Sequence, residues 1–555
     1  MAIVALGLWL RSPLPPPKAA NPTQLTNNRE RKFPPLVTDG TRLYFITPQK
    51  TGWTVAEVSA AGGQPVPVPS HLPDTVLTDI SPDGSELLVA ALANLTEAPL
   101  YILPLPPGPP RRAGDIVTHD ASWSPDGQQI VYARGNDLYV AKRDGTESHR
   151  LVSLPGPAEW PRWSPDGKIL RFTLGDPRQG THALWEVGRD GGHLRPVLPG
   201  WSDPPAECCG NWTPDGRYFV FISERVPNTL NLFALEEKSS FFRPRNPQPA
   251  QLTSGPTLFH SAISSRDGKK LFAIGGTPLG ELVRYDASSR QFQPFLSGTS
   301  AIQLSFSPDG QWVSYVSYPD GSLWRCRVDG SERLQLTFVP MGALGPAWSP
   351  DGKEIAFSGQ VPGKPNHIYT IAADGGIPRQ RTNGERDELF HSWSRDGNSM
   401  FFGNYLVPGA APPAIHRVEV KTGEVTTLKG SEGTRGPILS PDGNLIASLN
   451  GENHLVLLDV RAEKTTELTK MTAFYPAWSR DGQYVYFNSD DQGEPGFYRV
   501  RIKDRKVEFV ISLKDVKRPT SGSLGAWTGV TPDGTPLALR DISSFEIYSF
   551  DWQAP

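Results

Sequence analysis

Ten residues with side chains suited to recognition share one kind of position, a few residues ahead of a recurring turn. They are His119, Asp120, Glu159, Trp160, Arg162, Asn211, His260, His391, Arg435 and Tyr475. Carboxylates, imidazoles, guanidinium groups and aromatic rings together suit hydrogen bonding and stacking against a peptide, a partner protein or a glycan. Taken singly, each reads more readily as an ordinary solvated loop residue, and it is as a set that they form a recognition rim. Motifs for covalent chemistry are missing from the sequence. There is no Gly-x-Ser-x-Gly and no His-Glu-x-x-His, and the stretch from Gly359 to Lys364 lacks the spacing and the Ser/Thr of a phosphate loop. The 10 histidines are scattered, Cys208 and Cys209 are adjacent, and Cys326 is alone. That is neither a zinc pattern nor a disulfide framework. The residues therefore lead to the expectation of no catalytic residue, no metal, no cofactor and no enzymatic activity.

Those positions need a scaffold, and the composition says which kind. With 555 residues the chain exceeds a single core. Its 56 prolines, 54 glycines and 15 tryptophans, with little sign of long amphipathic helices, point to an all-β protein. A formal charge of -3 argues against a nucleic-acid partner, which calls for a basic excess. The run from Ala2 to Leu10 is apolar and uncharged. It is shorter than the roughly twenty residues of a membrane-crossing helix, and no basic segment precedes it as in a signal peptide. It reads as the outer half of a membrane helix whose beginning is missing, with residues 13 to 17 as a stiff Pro-rich spacer; a disordered start is the alternative. The rest of the chain is then expected on the extracytoplasmic, periplasmic side of the membrane.

The recurring turn reads Ser81-Pro82-Asp83-Gly84 and returns at Ser124, Ser164, Thr213, Ser307, Ser349, Ser440 and Thr531. Copies with Arg in the second place end at Gly268, Gly397 and Gly482, and a degenerate copy ends at Gly40. The copies follow one another at roughly 40 to 50 residues, the period of a four-stranded propeller blade. Proline presets φ, Asp bonds local amides, and Gly accepts a positive φ. Strands flank the turn, as in Tyr475-Pro476-Ala477-Trp478 before one copy and Tyr484-Val485-Tyr486-Phe487 after it. Trp123, Trp163, Trp212, Trp348, Trp393 and Trp478 hold one position before the turn and are read as packing between blades.

Trp-Ser-Pro-Asp-Gly with a trailing Leu-Thr strand resembles the WD40-like, TolB-type propeller repeat. Gly280 to Asp286, Trp312 to Thr337 and Glu546 to Trp552 further resemble the C-terminal extracytoplasmic propeller of bacterial membrane-anchored winged-helix regulators. No winged-helix segment precedes residue 1, so the group's DNA binding is not carried over. The resemblance implies tandem TolB-like β-propellers, read as two six-bladed rings of four-stranded blades. The expected division is 1–20 for the membrane remnant and spacer, 21–298 for the first ring and 299–555 for the second, with 22–26 proposed to close the second ring. Some serine peptidases carry a similar propeller ahead of an α/β-hydrolase domain, and with repeats running to Pro555 none is expected here. The function expected is a non-catalytic ligand- or protein-binding sensor, tethered to the membrane. The alternatives are a propeller enzyme of lactonase or lyase type and a stand-alone TolB-like periplasmic protein.

Overall fold

The turns do what their composition dictates. In the first full copy Ser81 Oγ donates to Asp83 Oδ1 (2.6 Å), and the Gly84 N–H donates to the Ser81 carbonyl (2.8 Å). Ser81 Oγ also accepts from the Glu86 N–H, and Gly84 has φ 78°. The same bonds recur at Ser349, Asp351 and Glu354, and at Ser394, Asp396 and Ser399. Because these bonds favour the charged form, the Ser81 hydroxyl and neighbouring amides hold Asp83 down at about 2, and the Ser394 hydroxyl with Asn398 does the same for Asp396. A carboxyl depressed on folding contributes stability above its unfolded value and loses it as the pH falls through the folded one. Thermal unfolding followed against pH should therefore show a midpoint falling between about pH 4 and 2. The double variant Asp83→Asn, Asp396→Asn should fall less steeply over that interval; an unchanged slope would remove the turns as its cause.

A computed structural model describes residues 15–49, 52–91, 97–176, 180–225, 229–238, 248–361, 364–404, 411–491, 493–519 and 526–555. The apolar run at residues 2 to 10 lies outside them. The described chain is all-β, with one short 3-10 turn at Leu296–Gly298, and forms twelve four-stranded antiparallel sheets, a propeller fold. It divides into two compact units. The first comprises residues 1–277 and 543–555, the second 278–542.

In the first unit five sheets are each built from one repeat in sequence order, such as Asp120–Trp123, Gln129–Arg134, Asp137–Lys142 and His149–Ser153. The sixth is composite. Leu258–Ser264 and Lys270–Thr277 are followed by Ser544–Gln553, and Lys18–Gln24 takes the outer edge. The second unit has the same plan. Five sheets are local, and the sixth joins Thr528–Val530 and Pro536–Asp541 to Gly280–Asp286 and Gln291–Pro294. In each unit the first strand of every sheet lies against the first strands of its two neighbours, around a closed circuit. Apolar residues alternate along these strands and fill the space between sheets, as Leu88, Leu100, Trp123, Ile130 and Ala141 do.

The boundary expected near residue 298 is corrected to Thr277/Pro278, with a return at Ile542/Ser543. The cause is the exchange of strands: Gly280–Asp286 pairs with Pro536–Asp541, leaving the edge of Lys270–Thr277 to Ser544–Gln553. The segment assigned to a spacer up to residue 20 already holds the start of strand Lys18–Gln24. The N-terminal strand does meet residues 548–553, and the Leu25 N–H donates to the Ile547 carbonyl (2.7 Å). Their sheet belongs to the first unit, so residues 22–26 do not close the second.

Behind that strand lies a buried ion pair. Lys32 Nζ donates to Glu546 Oε2 (2.9 Å), with both side chains essentially sealed from solvent. The same carboxylate accepts from Thr26 Oγ1 (2.5 Å) and from the Arg29 N–H (2.8 Å).

Candidate functional site

Antiparallel pairing slips by a β-bulge in the first strand of most sheets, close to the middle of each unit. Three residues before the Trp position the backbone turns left-handed. In the first unit this occurs at Trp160 (φ 57°) and Cys209 (φ 59°). In the second it occurs at Gln303 (φ 55°), Gly345 (φ 57°), Phe390 (φ 51°), Gly436 (φ 68°) and Tyr475 (φ 49°). Glycine takes this conformation freely; Trp, Phe and Tyr do not, and such outliers persist where the surroundings fix them and cluster at functional sites.

In the first unit these residues bind one another. Arg162 is buried and donates to the carbonyls of Thr78 (3.1 Å) and Pro161 (2.8 Å) and to Asn211 Oδ1 (3.2 Å), with its guanidinium 5.0 Å from the Trp160 ring. Asn211 in turn donates to the Ala262 carbonyl (3.0 Å). Asp120 accepts from the Trp160 N–H (2.7 Å), and Asp79 from the Trp123 N–H (2.8 Å). Burial raises both carboxyls, and the Arg162 charge opposes that rise. His119 Nε2 lies 2.7 Å from the Ala158 carbonyl, and Glu159 is exposed on its strand. His260 Nε2 has no hydrogen-bond partner, and burial lowers its imidazole. Cys208 and Cys209 form a disulfide between adjacent residues, at the bulge. This corrects the sequence reading, which looked for frameworks of spaced cysteines. Cys326 is buried, and burial pushes its thiol up to about 11, away from reactivity. Among the described residues no group of three or more His, Cys, Asp or Glu is placed to hold a metal ion.

The second unit is different: its bulges open onto a cavity of about 470 Å³. His391, Arg435 and Tyr475 all line it, joined by Gln303, Phe390, Asn453 and Trp527, which sequence reasoning missed. Gln303 Oε1 accepts from the Gly345 N–H (2.6 Å), tying two bulges together. Arg435 donates to the Asn450 carbonyl (3.1 Å) and to Asn453 Oδ1. The walls are stiffened from behind, where the indole N–H groups of Trp348, Trp393 and Trp478 donate to Ser305, Ala347 and Ile438 of an adjacent sheet. His391 is 8% exposed; its Nδ1 lies 3.4 Å from Ser358 Oγ, and its Nε2 has no hydrogen-bond partner. Burial takes its pKa down to about 4, against a smaller opposing pull from the Ala356 carbonyl, so the ring is neutral at pH 7. A signal for the missed residues existed: Phe390 and Gln303 stand four places before the first residue of their turns, as Tyr475 does.

Comparison with known proteins agrees with this fold. Residues 281–448 match the TolB beta propeller domain, and residues 81–160 match the dipeptidyl peptidase IV N-terminal region. An uncharacterized protein of Agrobacterium fabrum is 24% identical over 267 residues, 44% of this chain and 85% of that protein. The uncharacterized peptidase YuxL of Bacillus subtilis is 26% identical over 212 residues, 35% of this chain and 31% of the peptidase. Dipeptidyl-peptidase 5 of Porphyromonas gingivalis is 37% identical over 71 residues, 11% of this chain and 10% of that enzyme. The chain thus matches less than a third of the length of either named peptidase. Among solved structures, TolB from Acinetobacter baumannii superposes with a TM-score of 0.25 at 15% identity, over 62% of this chain and 77% of that one. The tricorn protease does so with a TM-score of 0.34 at 12% identity, over 93% and 62%. The expectation that the chain is not an enzyme is overturned by its peptidase-named relatives and the dipeptidyl peptidase match. None of these matches is to a winged-helix regulator, and the signal-sensing role loses its support with that resemblance.

Proposed function

We propose that the chain is the peptide-handling propeller of a peptidase-type enzyme acting outside the cytoplasm, built as two six-bladed rings. The observation that carries this is the aromatic-walled cavity of the second unit, onto which five left-handed bulges open. An extended peptide has unpaired backbone amides and carbonyls, and the lining holds polar side chains, Gln303 and Asn453 among them, beside its aromatic rings. Phe390, Tyr475 and Trp527 supply flat apolar area at little cost in side-chain entropy. The rigid walls mean that little ordering free energy is spent on binding. Residues 81–160 match the dipeptidyl peptidase IV N-terminal region, and a relative named a peptidase matches over 35% of this chain, which supports recognition of peptide as this fold's part in hydrolysis. A location outside the cytoplasm rests on the Cys208–Cys209 disulfide, since such bonds persist in oxidising compartments.

The test uses the full chain, a panel of dipeptidyl p-nitroanilides and a set of short unmodified peptides. Release of p-nitroaniline reads turnover, and hydrogen exchange with bound peptide reads occupancy. The expected result is slowed exchange at residues 388–393 and 474–478 when peptide is bound, whether or not p-nitroaniline is released. Peptides that leave exchange there unchanged would sink the reading.

A further inference from the structure

The same cavity says more than that a peptide fits. We infer that it admits an uncharged apolar side chain of an extended peptide, aromatic or branched, and rejects a cationic one; this rests on the peptide reading above. Three features of the lining carry it. Phe390, Tyr475 and Trp527 present rings around the space, and the described lining holds no carboxylate while it does hold the guanidinium of Arg435. A lysine or arginine side chain entering there would give up its hydration, find no counter-charge in the lining, and meet a like charge. Attraction between a cation and the ring faces exists, but it is the weaker effect once the cation is stripped of water beside another cation.

Room and polarity fit the same guest. A methyl group built at Gly345 would meet nothing within 4 Å, so the wall beside that bulge is open to a ligand. Among the described side chains of the lining, one buried polar atom, His391 Nε2, is left without a hydrogen-bond partner. Volume sets the scale, since about 470 Å³ holds one large side chain with its flanking backbone rather than a folded domain.

The experiment compares N-acetyl-Ala-Phe-amide, N-acetyl-Ala-Leu-amide and N-acetyl-Ala-Lys-amide by titration calorimetry at pH 7 with the full chain. The Phe and Leu peptides should bind at least tenfold tighter than the Lys peptide. The double variant Phe390→Ala, Tyr475→Ala should lose at least tenfold in affinity for the Phe peptide. Should that variant fail to fold, hydrogen exchange on the unaltered chain decides, with protection by the Phe peptide expected at 388–393 and 474–478. Binding of the Lys peptide as tightly as the Phe peptide would overturn this inference and leave peptide recognition standing. Binding of the Phe peptide without protection at those strands would also overturn it, by placing the guest elsewhere. Silence from all three peptides would overturn the peptide reading itself.

Discussion

Replacing Glu546 by alanine should lower the stability of the first unit by about 3 to 5 kcal/mol, the cost of breaking a buried ion pair from one side. The carboxylate is where the two chain ends meet: Lys32, Thr26 and the Arg29 amide all donate to it, and Thr26 Oγ1 then accepts from the Ile547 N–H. Its removal leaves the Lys32 ammonium buried among the remaining acceptors, the carbonyls of Glu30 and Phe545 and the Asn28 amide oxygen. Burial already depresses that lysine, and Glu546 is the main group opposing the depression. In the variant the lysine therefore has to shed its proton or pull the strand open to water. Differential scanning calorimetry should show the transition move down by roughly 10 °C. Hydrogen exchange should show strand Lys18–Gln24 exchanging far faster, because it holds only the outer edge of its sheet. Glu546→Gln keeps an acceptor for Thr26 and Arg29 and should lose less. Equal transition temperatures for Glu546→Ala and the unaltered chain would show that the pair does not hold the chain ends.

The repeat was legible from sequence because its turn is local chemistry. Ser, Asp and Gly of Ser349-Pro350-Asp351-Gly352 satisfy one another within six residues, so the residue types alone announce the geometry. Which strands complete a sheet was not legible. Gly280–Asp286 and Ser544–Gln553 follow their turns at the expected spacing and have the right alternation, and either could add to Lys270–Thr277. The choice depends on pairing between segments more than 250 residues apart, and no local signal encodes it. The site was half legible for a related reason. Polar residues ahead of each turn drew attention, and His391, Arg435 and Tyr475 do line one cavity. Phe390 was passed over although it stands at the same place before its turn as Trp160 and Tyr475; its left-handed bulge lies on the cavity lining. Conversely Asp120, Arg162 and Asn211 look like a binding rim in sequence, yet their hydrogen-bonding capacity is largely spent on neighbouring strands.

That last set makes the second large prediction. Arg162→Ala should destabilise the first unit by about 3 kcal/mol at pH 7 and by much less at pH 4. The guanidinium is the positive group acting on both Asp79 and Asp120, and it also caps the Thr78 carbonyl and the Asn211 amide oxygen. Without it two carboxylates remain inside the unit with backbone N–H donors for company and, at Asp120 alone, the His119 imidazole. The cost sits at the low end for a buried pair because both aspartates keep partial access to solvent. Its pH dependence has a definite sign. Burial already raises these two carboxyls, and losing the cation raises them further. Once the pH falls below their folded values both are neutral and need no counter-charge, so the penalty fades. Denaturant unfolding at pH 7, 5.5 and 4 should therefore bring variant and unaltered chain together as the acidity rises. Asp79→Asn added to Arg162→Ala should restore part of the loss at pH 7 and almost none at pH 4. A penalty independent of pH would instead assign the effect to the lost hydrogen bonds and to packing against Trp160. The charges of Asp79 and Asp120 would then have no part in holding the first strands together.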